Sequence, residues 1–237
     1  IIINCYNGEK YLRDAIDSVL AQTYRNWELV FWDNQSTDNS ADIVNRYNDE
    51  RIRYYYSPKH TALYEARNYA IENASGEFIA FLDVDDWWMA EKLEKQIPLF
   101  NDSKVGLVYG NYRFDNEIKN THKILYNYQL PSGMILNSLL EKYVVGLLTI
   151  VVRKSAFYSI DKQFDSTYNI IGDFDPRVII ALIGHIGSLV ASLDNDWNYL
   201  QRSFCILEVF GAVRAAKRGV FTKRTSIHAS VLSIRQK

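Results

Sequence analysis

At 237 residues with 48% hydrophobic content, the chain is long enough for one sizeable α/β domain or a catalytic domain with a small appendage. A formal net charge of −1 excludes the global basic field that draws in nucleic acid, so no nucleic-acid partner is expected. Cys5 and Cys205 have neither metal-ligand nor redox-motif spacing, and they fit a reducing compartment.

The chain opens at Ile1 inside an apolar run without an initiator Met, so the start of the first strand is expected to lie upstream. As far as about Tyr112, short apolar runs alternate with segments of helical periodicity, the pattern of βαβ units in a mostly parallel sheet. Strands are expected at residues 1–4, 28–32, 52–56, 78–82 and 106–109. Leu12, Ala15, Ile16, Val19 and Leu20 form one apolar stripe on a helix between the first two. Ala62, Ala66, Tyr69 and Ala70 repeat the geometry later, as do Met89, Leu93, Ile97 and Phe100. Residues 178–193 read as a buried helix, too short for a membrane span.

Polar residues gather where strands end. Asn4-Cys5-Tyr6-Asn7 follows the first strand, Asp33-Asn34 the second, Lys59-His60 the third and Asp83-Val84-Asp85-Asp86 the fourth. In an open α/β sheet these are carboxyl ends, the edge where such folds bind ligands.

Three carboxylates in four residues repel one another unless a cation compensates, and Mg²⁺ or Mn²⁺ prefers carboxylate and phosphate oxygens. The alternative is a solvated turn in which Asp86 caps the next helix. No glycine-rich phosphate loop of either common type occurs, which disfavours a dinucleotide-dependent dehydrogenase and a P-loop ATPase. Asp33 can accept hydrogen bonds from a base edge or ribose, and Tyr6 offers a flat face for a base. The competing reading of Tyr6 and Asn7 is a loop that turns the chain. Arg67 either meets a phosphate or carboxylate or is an exposed surface arginine. Trp87 and Trp88 either pack the helix start or stack on a sugar ring.

Asn4-Cys5-Tyr6-Asn7-Gly8, Ala21-Gln22-Thr23-Tyr24, Asp33-Asn34-Gln35-Ser36-Thr37-Asp38, Ala66-Arg67-Asn68 and the run from Gly76 through Trp87 resemble, in order, the motifs of family 2 glycosyltransferases with the GT-A fold. The resemblance implies an α/β fold of GT-A type, a mostly parallel sheet flanked by helices with a Rossmann-like nucleotide-binding half and an acceptor-side region. It also implies transfer of a sugar from a nucleotide donor, a UDP-sugar, to a saccharide or glycolipid hydroxyl with inversion. Tyr6 and Asp33 would then contact the nucleoside and Asp83 the ribose side, with Asn4 and Asn7 also binding the nucleotide-sugar, Arg67 near the donor, and Asp85, or alternatively Asp86 with it, at Mn²⁺ or Mg²⁺. Polysaccharide assembly in the cytoplasm, at the inner face of a membrane with peripheral association, is the setting implied.

Ile170-Ile171-Gly172-Asp173-Phe174-Asp175 resembles the family's catalytic loop, with Asp173, or alternatively Asp175, as the base that takes the acceptor hydroxyl proton. The other reading of either residue is a helix N-cap. These features divide the chain into residues 1–112, a nucleotide-sugar-binding half; 113–175, an acceptor-side and catalytic-base region; and 176–237, an atypical tail. Residues 1–175 carry 18 Lys+Arg and 25 Asp+Glu, whereas 176–237 carry 9 and 3, so the net charge swings from −7 to +6 where the resemblance stops. The tail is therefore expected to be divergent or frame-shifted, and to pack poorly. Two rivals remain at the level of sequence: a nucleotidyltransferase, and an inactive nucleotide- or saccharide-binding domain.

Overall fold

The computed structural model describes residues 1–116, 120–142, 144–160, 164, 189–192 and 201–203. Three parallel strands open the chain: β1 (Ile2–Cys5), β2 (Leu29–Asp33) and β3 (Ile52–Tyr56), in the order β1-β2-β3. A second set runs in the order β4 (Phe78–Ala80), β8 (Val151–Arg153), β5 (Val105–Tyr109), β9 (Leu189–Ser192). The two sets meet through a parallel bridge between Ile2 and Phe81, with the Leu82 amide donating to the Ile2 carbonyl at 3.0 Å. β8 is antiparallel to both β4 and β5, so β4 and β5 point the same way as β1. The strand order consequently reverses between β1 and β4. Their carboxyl ends flank a topological switch point, the place where open α/β sheets leave a crevice for ligands.

The sheet is covered on both faces because its side chains alternate with a period of two. Ile2, Val30, Trp32, Ile79 and Phe81 enter one core, with Ala66, Ala70 and Ile71 of helix α3 (Leu63–Glu72) and Phe157 of α5 (Lys154–Tyr158). Ile3, Cys5, Leu29, Phe31, Ala80 and Leu82 enter the other. There they meet Leu12, Ala15, Ile16 and Val19 of α1 (Leu12–Leu20), Ile43 and Val44 of α2 (Ser40–Val44), and Leu93 of α4 (Lys92–Gln96). Of the expected α1 stripe, Leu12, Ala15, Ile16 and Val19 are buried, and Leu20 is half-buried against the same core.

Three differences from the sequence reading have physical causes. The helix expected through Met89, Leu93, Ile97 and Phe100 is divided into α4 and a 3₁₀ turn, Ile97–Asn101, in which Pro98 lacks the amide hydrogen that a continuing α-helix needs. An antiparallel hairpin, β6 (Tyr112–Asn116) and β7 (Thr121–Ile124), follows β5, with β10 (Gln201–Ser203) parallel to β6. Within the expected buried helix at 178–193, Leu189–Ser192 instead form β9, parallel to β5. A short apolar run supports strand or helix equally until a partner strand is available.

All described residues fall within one unit, Ile1–Phe204; a second unit comprises Cys205–Lys237, outside the described residues. Among the described residues, no helix is long and apolar enough to cross a membrane.

Candidate functional site

The β1–α1 and β2–α2 loops are stitched together residue by residue. Asn7, at a positive φ of 55°, accepts the Thr37 amide on Oδ1 at 2.7 Å, while its own amide donates to Ser36 Oγ at 3.0 Å. The Gly8 amide donates to Ser40 Oγ at 2.9 Å, and the Glu9 amide to Asp38 Oδ2 at 3.0 Å. Gly8 is needed for close approach: a Cβ there would lie 2.9 Å from Cys5 Sγ and 3.2 Å from Val84. The first loop therefore rests directly on the acidic one. The Cys5 thiol beneath it is buried, and burial pushes its pKa up despite hydrogen bonding to Ser40 and Ser36.

Asp33 is fully buried rather than presenting an oxygen at the surface. Its Oδ1 accepts the Ser36 amide and its Oδ2 the Tyr54 hydroxyl, each at 2.7 Å. Burial, with the Asp33 carboxylate, pushes the Tyr54 phenol up, so it stays a donor. Beside it, Asn34 grips the third loop: its Nδ2 donates to the Thr61 carbonyl at 2.8 Å, and its Oδ1 accepts the Thr61 amide at 3.1 Å. On the surface of this edge Tyr6 is 50% exposed, with its ring centroid 4.4 Å from that of His60.

The fourth loop follows β4. The Asp86 amide donates to the Asp83 carbonyl at 3.0 Å, closing the turn that carries Asp83, Asp85 and Asp86. Arg67 on α3 is 1% exposed, which removes the surface-arginine reading; its Nη2 donates to Asp83 Oδ1 at 2.9 Å and Oδ2 at 3.2 Å. Arg67 Nη1 and Asn4 Nδ2 are buried without a hydrogen-bond partner among the described residues. Trp88 is committed to the core: its Nε1 donates to the Leu148 carbonyl at 3.0 Å and its amide to Ser18 Oγ at 3.1 Å. Trp87 is half-buried.

One contact unseen in the sequence ties α3 to Phe164. Asn68 Nδ2 donates to the Phe164 carbonyl at 2.8 Å, and the Phe164 amide donates to Asn68 Oδ1 at 3.2 Å. The Phe164 ring packs on Phe81, Phe157 and Tyr64. Asp173 and Asp175 lie outside the described residues.

No group of three or more His, Cys, Asp or Glu that could hold a metal ion occurs among the described residues. Mg²⁺ and Mn²⁺ need less when phosphates share the coordination, because one or two carboxylates then suffice. The turn at 83–86 meets that requirement, with the Asp83 charge already balanced by Arg67.

A doubly covered sheet with loops converging at its switch point defines an open α/β domain, and solved structures of that architecture superpose on it. TarS of S. aureus in complex with UDP-GlcNAc gives a TM-score of 0.70 at 20% identity, covering 86% of this chain and 58% of that one. The mannosyltransferase PcManGT of Pyrobaculum calidifontis, in complex with GDP-Man and Mn²⁺, gives 0.65 at 15% identity, covering 95% and 64%. The fold is thus of GT-A type. The pattern of Glycosyl transferase family 2 matches residues 1–161, and the chain belongs to that family.

Among curated relatives, WfgD of Escherichia coli, a UDP-Glc:alpha-D-GlcNAc-diphosphoundecaprenol beta-1,3-glucosyltransferase, is 40% identical over 155 residues, 65% of this chain and 60% of its own length. TuaG of Bacillus subtilis, a putative teichuronic acid biosynthesis glycosyltransferase, is 32% identical over 155 residues, 64% of this chain and 60% of its own. The chain thus spans about 60% of each.

Proposed function

We propose that the chain transfers a sugar from a UDP-sugar to a saccharide hydroxyl with inversion, assisted by Mn²⁺ or Mg²⁺. The observation that carries this reading is the convergence of Tyr6, the Arg67–Asp83 pair and the Asp85-Asp86 turn at the switch point between β1 and β4.

Each residue then has a task. Tyr6 supplies a half-exposed face for the base, with Asn4 and Asn7 shaping the same loop. Asp33 supports that end from beneath by holding the Tyr54 hydroxyl and the Ser36 amide. Asp83, oriented by Arg67, accepts hydrogen bonds from the ribose side. Asp85, assisted by Asp86, would hold the divalent ion, which when bound neutralises charge growing on the departing diphosphate. Asp173, or alternatively Asp175, takes the acceptor hydroxyl proton as that oxygen attacks the anomeric carbon. Attack opposite the leaving nucleoside diphosphate inverts the centre, as in inverting glycosidases with a sugar hydroxyl in place of water.

The E. coli relative named for a diphosphoundecaprenol-linked sugar supports a lipid-linked saccharide acceptor. Such an acceptor places the work at the cytoplasmic face of a membrane, with peripheral association. Residues 1–112 then form the donor half, 113–175 the acceptor and base region, and 176–237 the atypical C-terminal region, which contributes β9 and β10 to the sheets.

Calorimetric titration of UDP with and without Mn²⁺ tests the reading. Asp85→Asn is expected to abolish the Mn²⁺-linked gain in UDP affinity while leaving the fold intact. An unchanged Mn²⁺-linked affinity in this variant removes the metal assignment.

A further inference from the structure

Burial of Asp33 leaves the nucleoside end of the crevice without the acceptor that the sequence pointed to. Both Asp33 oxygens are occupied by the Ser36 amide and the Tyr54 hydroxyl, and no part of the residue reaches solvent. The group that does reach solvent there is His60, exposed on the β3–α3 loop, with its ring tilted 54° to Tyr6.

Its protonation pattern follows from its contact. His60 Nδ1 lies 2.9 Å from the Asn34 backbone carbonyl, which can only accept, so Nδ1 carries the hydrogen. In the neutral ring Nε2 is then a bare lone pair. No partner for Nε2 occurs among the described residues. The carbonyl that sets this tautomer is itself fixed, because Asn34 is clamped to Thr61 through both ends of its buried side-chain amide.

Resting on the nucleotide-sugar reading above, we propose that His60 reads the donor's base: Nε2 accepts a hydrogen bond from the imide N–H of a uracil that lies against Tyr6. Uracil presents a donor at N3 between two carbonyls. Cytosine presents a lone pair at N3, which would oppose the Nε2 lone pair. The site therefore selects uridine over cytidine donors through a residue that neither holds the metal nor takes part in the chemistry.

Calorimetry with UDP and CDP in the presence of Mn²⁺ tests the assignment. The wild-type chain is expected to favour UDP. His60→Phe keeps a flat ring beside Tyr6 but removes Nε2, and should weaken UDP about tenfold, the scale of one hydrogen bond, while leaving CDP within about twofold. His60→Gln, which retains an acceptor oxygen, should recover part of the preference. Thermal melting of each variant at the wild-type temperature identifies the effect as local. A UDP-binding wild type whose UDP-to-CDP ratio survives in His60→Phe, or a variant that loses both nucleotides by the same factor, overturns the role of His60 alone. A wild-type chain that binds neither nucleotide overturns the nucleotide-sugar reading and this inference with it.

Discussion

Arg67 and Asp83 form an ion pair whose two halves see different surroundings, and the difference predicts an asymmetry between single substitutions. Arg67 is 1% exposed, and its Nη1 has no partner among the described residues; the Asp83 side chain is 30% exposed. Asp83→Ala strands a guanidinium that water cannot reach, a loss on the order of 3–5 kcal/mol for a buried charge deprived of its partner. Arg67→Met removes the charge that was costly to bury, keeps similar volume, and leaves a carboxylate that water can solvate, for a cost of roughly 1 kcal/mol. With a urea m-value of about 2 kcal/mol/M, the two midpoints should differ by at least about 1 M, Asp83→Ala being the lower. The double variant should recover toward Arg67→Met, since it no longer strands a charge. Urea unfolding followed by tryptophan fluorescence measures all three. If Arg67→Met is as destabilised as Asp83→Ala or more so, the premise that burial of Arg67 sets the cost is wrong. Both single variants should also weaken Mn²⁺-linked UDP binding.

Two further outcomes concern opposite ends of the sheet. At the amino end, burial tends to raise the Glu28 pKa but is outweighed by hydrogen bonds from Ser75 Oγ and amide, Arg53 and the Gly76 amide, which together hold it at about 2. With the folded value below the ordinary 4.5, the stabilisation is complete above that pH and is lost as pH falls toward about 2. Glu28→Gln should therefore cost about 1 kcal/mol at pH 7 and flatten stability over that acid window, with UDP affinity unchanged; a parallel pH curve in thermal melts would contradict this. At the carboxyl end, Asn68→Ala should remove both hydrogen bonds to the Phe164 backbone, lowering sugar transfer about tenfold while UDP affinity stays within about twofold. Equal loss of binding and transfer would show instead that Asn68 only supports the helix.

Residues 1–112 were legible because their signals are local. Strands β1, β2, β3 and β5 lie within about a residue of their expected places, since each is a short apolar run bounded by polar turns, and α1 buries all the residues its periodicity names except Leu20, which is half-buried. The four polar clusters pointed correctly to one edge because parallel strands share a carboxyl end. What sequence spacing could not supply was pairing at a distance. Nothing local shows that Asn7 meets Thr37 or that Asn68 meets Phe164. Asp33 reads as a surface acceptor because carboxylates seldom sit fully buried; its partner Tyr54 lies a whole βα unit away. β8 was invisible for another reason: it is only three residues long and follows a run from Val144 to Ile150 with no alternation to mark it. His60 carried a weak signal, its place in the third cluster, but its tautomer depends on a carbonyl from the second.

Cation-assisted transfer from a UDP-sugar is tested by UDP release from a panel of UDP-sugars incubated with the chain, Mn²⁺ and a lipid-linked saccharide acceptor. Release from at least one donor is expected, stopping with chelator, returning with Mn²⁺ and absent in Asp85→Asn. Release that is indifferent to chelator and to Asp85→Asn, or a folded chain that cleaves none of the donors, would contradict it.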